Sequence, residues 1–179
     1  MRTLERISYP PRTAVEVFKL LPEGTLCEVI NNTIYMSPSP TSNHQRILGN
    51  LFKKIDNHVV NKNSGEVFFS ALDVFLDEKN AFQPDLIFIS NKNTGFLDPD
   101  GGFHGTPDFI VEILSPHNKQ HDLIKKKSVY EKRGVKEYWV IDPKTKEAIG
   151  YELKEGSFHE LPATKAKLKS VLFKKTFSF

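Results

Sequence analysis

The chain has 179 residues, 39% hydrophobic and 26% charged, with a formal net charge of +3. That length is read as one folded domain, 1–179, able to bury a core without disulfides or structural metal, and the composition excludes a disordered chain. A single cysteine, Cys27, excludes an internal disulfide and a cysteine metal cluster, and no run approaches the roughly 18 apolar residues of a membrane span.

A pI near 8.8 admits a polyanionic partner without requiring one. The opening MRTLERISYPPRTAVEVFKLL has neither a long apolar run nor a small-residue cleavage site. No secretory signal is read there, and a reducing cytoplasm is the expected location.

In chain order, residues 1–20 form a lead-in turn and a short helix capped near Thr13, stopped at Pro22–Gly24. LCEVINNTIYMSP reads as a β-hairpin about Asn31-Asn32, residues that tolerate positive φ. PSPTSNHQRILGNLFKKIDNHVV is the clearest helix, with the apolar stripe Ile47, Leu48, Leu51, Ile55 and Val59. EVFFSALDVFL reads as one bent or two short strands, and PDLIFIS as a strand after Pro84.

The Gly/Asp/Pro-rich NKNTGFLDPDGGFHGTP is a loop. DFIVEIL, a helix closing at Gly134, and EYWVID suit a crossover between parallel strands at a sheet centre. Residues 155–179 belong to a second hairpin and a lysine-rich tail. The expected fold is α/β, built on one mixed sheet.

Two acids interrupt the apolar run of DFIVEIL. Alternation puts Asp108, Ile110, Glu112 and Leu114 on one face and Phe109, Val111 and Ile113 on the other. Asp85 opens the neighbouring apolar strand. A carboxylate in such a setting must be paired, hydrogen-bonded or bound to metal. Two acids from adjacent strands suit a hard cation such as Mg²⁺. A strand-end aspartate is equally read as a loop cap or a structural ion-pair partner.

Asp122, Lys126 and Tyr130 share one helix face by their i, i+4, i+8 spacing, and Lys126 can point back at the strand end that carries Glu112. Such a lysine would offer positive charge to a phosphate, or it is part of a solvated basic face.

QPDLIFIS, GTPDFIVEILSP and HDLIKKKSVYEKRGVKEYWVIDP, taken in series with CEVINNTIYMSPSPTSNHQRI, resemble the Uma family of restriction-endonuclease-like proteins in the PD-(D/E)XK nuclease superfamily. The resemblance spans roughly Leu21 to Leu153. It implies a restriction-endonuclease-like mixed sheet core flanked by helices, with additional hairpins.

It also implies Asp85 and Glu112 as the motif acids, Lys126 as the catalytic lysine and Glu28 as an early acid helping to hold Mg²⁺ or Mn²⁺. One departure stands out: two residues after the acid, where the superfamily has lysine, this chain has Leu114. The match is instead to families whose lysine has moved to the next helix.

His44 enters through the same pattern, and without it reads as a packed core histidine. Gln83 is a candidate to orient Asp85 or touch substrate, and Asp108 competes with Asp85 because it too follows a proline. Glu28 is otherwise an ordinary hairpin glutamate.

The implied activity is metal-dependent hydrolysis of phosphodiesters in DNA, with Lys125, Lys127, Lys132, Arg133 and the tail lysines as phosphate contacts or as solubilising charge. A homodimer is compatible with that activity. The alternatives are an inactive nucleic-acid-binding or regulatory module on the same fold, an enzyme acting on another phosphate ester, and a structural partner in a toxin–antitoxin or mobile-element setting.

Overall fold

The computed structural model describes residues 10–115 and 121–179, the side chains of 121–123 excepted. Hydroxyl caps set the starts of the first two helices. The Thr13 hydroxyl accepts from the Glu16 N–H at 3.1 Å and opens α1, Ala14–Lys19. The Thr41 hydroxyl accepts from the His44 N–H at 3.3 Å and opens α2, Ser42–Lys62.

Between them β1, Cys27–Ile30, and β2, Thr33–Met36, join through Asn31 and Asn32, both at positive φ as a tight hairpin requires. The ambiguous EVFFSALDVFL resolves into two strands, β3, Gly65–Phe69, and β4, Val74–Asp77. A three-residue strand that the sequence pattern does not single out, β5, Asn80–Phe82, pairs with β4.

Then come β6, Leu86–Ser90, and β7, Phe109–Ile113. A π-helical turn, His121–Lys126, runs into α3, Lys127–Arg133, which ends at Gly134 with φ 83°. That left-handed cap carries no Cβ penalty at glycine. The remaining strands are β8, Glu137–Ile141; β9, Glu147–Lys154; β10, Ser157–Glu160; β11, Thr164–Lys165; β12, Lys167–Ser170; and β13, Lys175–Ser178.

The expected mixed core sheet is present, and the described strands make two further, smaller sheets beside it. The core sheet runs β10-β9-β8-β7-β6-β3, with β11 beside β9. Among its described strand pairs β7 and β8 alone are parallel, joined by the crossover through α3. A second sheet runs β2-β1-β5-β4, and β12 pairs with β13 in a third.

The second sheet lies against the core sheet instead of extending it, through Ile30 of the first hairpin and apolar residues of β4 and β5. Ile30, Val74, Leu76 and Phe82 pack with Ile87, Ile110, Tyr138 and Val140.

Each face of the core sheet is thereby covered, as central strands apolar on both sides demand. α2 lays Ile47, Leu48, Leu51, Ile55 and Val59 on Phe109, Val111 and Ile113, and Leu168 and Phe177 join that cluster. The segment read as a lysine-rich tail is thus folded against the core through β12 and β13. The opposite face carries Ile110 and Leu114 under Val129 and Tyr130 of α3. α1 closes the back of the small sheet through Val15 and Phe18 on Cys27, Val29 and Ala81. Among the described residues no helix is long and apolar enough to cross a membrane.

Candidate active site

Glu112 is one residue short of the C-terminal end of β7 and is 4% exposed. Its face of the strand is the α3 face, so the acid sits beneath that helix. Two groups from the helical segment meet it there. Lys126 Nζ donates to Glu112 Oε1 at 3.0 Å, and the Tyr130 hydroxyl donates to the same oxygen at 2.7 Å.

The phenol of Tyr130 is pushed well above its ordinary value, first by burial and then by the negative charge of Glu112 and Glu28. It therefore stays protonated and acts as a fixed donor.

Lys126 reaches a second acid from another sheet. Its Nζ lies 2.8 Å from Glu28 Oε1, an ion pair with side chains almost fully enclosed. β1 brings Glu28 there because the first hairpin docks on the core sheet. The peptide N–H of Gln83 donates to the same Glu28 oxygen at 3.0 Å. The Lys126 ammonium also lies over the Phe82 ring, with Nζ 5.9 Å from its centroid.

The lysine is thus buried to 4% exposure with one ammonium facing two carboxylates. Burial of such charges is tolerable only with this degree of pairing.

Asp85 stands just before β6, one step beyond the register pair Leu86↔Val111 that lies next to Glu112. It is half-buried, and two contacts fall on Oδ2. The Ile113 N–H donates to it at 2.6 Å, and His44 Nε2 lies 3.1 Å away. His44 is itself buried in the first turn of α2. The two motif acids therefore share one end of adjacent strands, with Asp85 tied toward α2 and Glu112 toward α3.

The other sequence candidates are distributed as follows. The Gln83 side chain goes to the Thr25 carbonyl at 3.1 Å and Asp73 Oδ1 at 2.9 Å, and not to Asp85; its main chain, rather than its amide, serves the site. Asp108 lies at the opposite end of β7. There it accepts from the Ser90 N–H at 2.8 Å and Asn93 Nδ2 at 3.1 Å and pairs with Lys136. The side chain of Asp122 lies outside the described residues.

Asp73 and Tyr35 are neighbours of the site that the sequence reading passed over. Asp73 braces Gln83, and an acid inside the β-prone SALDVFL was its signal. Tyr35 is directly across the hairpin from Glu28, and its hydroxyl accepts from Lys125 Nζ at 3.1 Å.

The donor chemistry fits a hard divalent cation. Asp85, Glu112 and Glu28 offer carboxylate oxygens, and Mg²⁺ is commonly held by one or two carboxylates plus substrate and water. Among the described residues no three His, Cys, Asp or Glu side chains stand close enough to ligate one ion together. The two-carboxylate mode is the one this arrangement suits.

The Uma2 family model, described as "Putative restriction endonuclease", matches residues 14–176. Among solved structures, the chain resembles one described as "a putative nuclease belonging to DUF820" from Anabaena variabilis. The TM-score is 0.75 at 23% identity, covering 92% of each chain. That likeness shows the same mixed α/β fold as this nuclease-like neighbour. No curated protein matches the chain.

Proposed function

This chain belongs to the Uma2 family of restriction-endonuclease-like proteins, and from that premise we propose that it is a metal-dependent endonuclease that hydrolyses phosphodiester bonds in DNA. The observation that carries the reading is the convergence of Glu28, Glu112 and Lys126 beside Asp85, inside the matched span.

Asp85 and Glu112, with Glu28 in support, would hold Mg²⁺ or Mn²⁺. A bound divalent cation lowers the pKa of water and neutralises charge that develops on a phosphate. The chain's own groups supply the rest. Tyr130 fixes the Glu112 carboxylate through its hydroxyl, and His44 and the Ile113 N–H fix Asp85. Lys126 provides the positive charge for the phosphate oxygens. Lys125, beside Tyr35 at the edge of the site, is a candidate contact to the next phosphate along the strand.

Cleavage of plasmid and linear duplex DNA with Mg²⁺ or Mn²⁺ tests the reading. Asp85→Ala and Glu112→Ala are each expected to abolish cleavage while circular dichroism stays that of the wild type. Full activity in either variant would overturn the assignment.

A second reading, an inactive module that binds nucleic acid, is favoured by Leu114. It occupies the superfamily's lysine position and is packed in the core at 5% exposure. DNA affinity that persists without cleavage under every divalent cation would select it.

A further inference from the structure

Lys126 does more than stand near the acids: its ammonium bridges them. Nζ is 2.8 Å from Glu28 Oε1 and 3.0 Å from Glu112 Oε1, and both carboxylates and the amine are nearly dry. The two oxygens it engages come from different sheets, β1 in one and β7 in the other. Glu112 is also one of the two principal acids offered to a cation in the reading above.

A divalent ion held by Asp85 and Glu112 therefore competes with the ammonium for Glu112 Oε1, close beside Glu28. Both cannot sit among these oxygens without close like-charge repulsion.

We propose that Lys126 is the built-in counter-ion of the metal-free site and that an arriving Mg²⁺ or Mn²⁺ displaces its ammonium from Glu112 and Glu28. This inference rests on the metal-site reading and adds how that site is kept stable while empty. Displacement has a direction. Nζ itself lies over the Phe82 ring, 5.9 Å from its centroid, so an aromatic face stands beside the amine as it leaves the carboxylates. A released amine is then available to the negative charge of a phosphate, and the cation that releases it is the one the reaction uses.

The inference predicts that removing the ammonium strengthens cation binding, the reverse of what a lysine acting as a structural brace would do. Calorimetric titration of Mn²⁺ and Mg²⁺ into wild type, Lys126→Met and Glu112→Gln, without DNA, reads this. Lys126→Met is expected to bind about tenfold tighter than wild type, and its melting temperature is expected to rise more on adding cation. Glu112→Gln is expected to lose binding.

Should Lys126→Met fail to fold, wild-type protein decides. Labelling with an N-hydroxysuccinimide ester, followed by peptide mass spectrometry, is expected to modify Lys126 faster with Mn²⁺ than with chelator. Equal or weaker cation binding by Lys126→Met, or labelling indifferent to Mn²⁺, overturns the displacement. Retained wild-type binding that Glu112→Gln abolishes would then leave the metal site standing. No cation binding by wild type or Lys126→Met overturns both.

Discussion

The two ends of β7 carry the same pair of residue types and use them differently. At one end Asp108, 2% exposed by its side chain, pairs with Lys136, whose side chain is 55% exposed. At the other, Glu112 pairs with Lys126, and both side chains are 5% exposed. Asp108 also accepts from the Ser90 N–H and from Asn93, which tie β6 and its following loop to β7. Its lysine stays at the surface.

Lys126, by contrast, is enclosed and shared between two acids from different sheets. A carboxylate closed off by main-chain and amide donors holds the fold together. Two acids converging on one buried ammonium are the arrangement on which the proposed cation site rests.

The comparison breaks first on stability. Lys126→Met strips the ammonium from two buried carboxylates and is expected to lower unfolding free energy by roughly 3–5 kcal/mol without added cation. Lys136→Met, solvent-screened and leaving Asp108 its other donors, is expected to lose about 1 kcal/mol or less. Guanidinium denaturation of both variants beside wild type reads the difference, and equal losses would erase the distinction between the two ends.

The next effect sharpens the fold end through pH. Burial pushes Asp108 up, but hydrogen bonds from Lys136 and Ser90 outweigh it and hold the carboxyl below its ordinary value. A lowered acid stabilises the fold above its unfolded pKa of roughly 3.9, and that contribution fades as pH falls through the lower folded value. Asp108→Asn is therefore expected to cost about 1–2 kcal/mol at neutral pH and to converge on wild type in acid.

Glu137 behaves with the opposite sign. Burial raises it despite bonds from Trp139, the Leu172 N–H and Ser170. Its contribution is complete below an unfolded pKa of roughly 4.3 and is lost as pH rises through the raised value. The stability of Glu137→Gln relative to wild type should accordingly improve with rising pH. Denaturation midpoints from pH 3 to 7 would show parallel curves if neither sign is right.

A further effect lies back at the site end. Tyr130→Phe removes one donor to Glu112 and keeps the ring's packing on Phe82 and Tyr138. A loss of about 1.5 kcal/mol is expected in denaturant. The same variant should slow DNA cleavage without abolishing it, and an unchanged rate would remove Tyr130 from the positioning of Glu112.

Glu112 was conspicuous in the sequence because an acid on an otherwise apolar strand needs a partner. Helical spacing identified Lys126 and Tyr130 as that partner's face, although the turn carrying Lys126 is π rather than α. Asp108 sent the same signal as Glu112, and alternation could not separate them, because they occupy the same face of the same strand. What separates them is tertiary: which lysine is enclosed, and whether a second acid arrives.

That second acid comes from the docking of a hairpin whose partner strand, β5, is too short to produce a periodic pattern. His44 lay on a helical apolar stripe, where packing and chemistry look alike until Asp85 is seen beside it. The role of Gln83 was illegible for a different reason, since its main-chain N–H, which any residue but proline supplies, does the holding of Glu28.

The crossover has a consequence for how the site comes into being. Glu112 and Lys126 are 14 positions apart and can meet once β7 and the following helix form. Glu28 comes from the first hairpin, so its arrival closes a far longer loop and belongs with the high-contact-order, slow part of folding. Until then Lys126 has only one of these two acids. Completion of the charge triad thus requires that distant parts of the chain have docked.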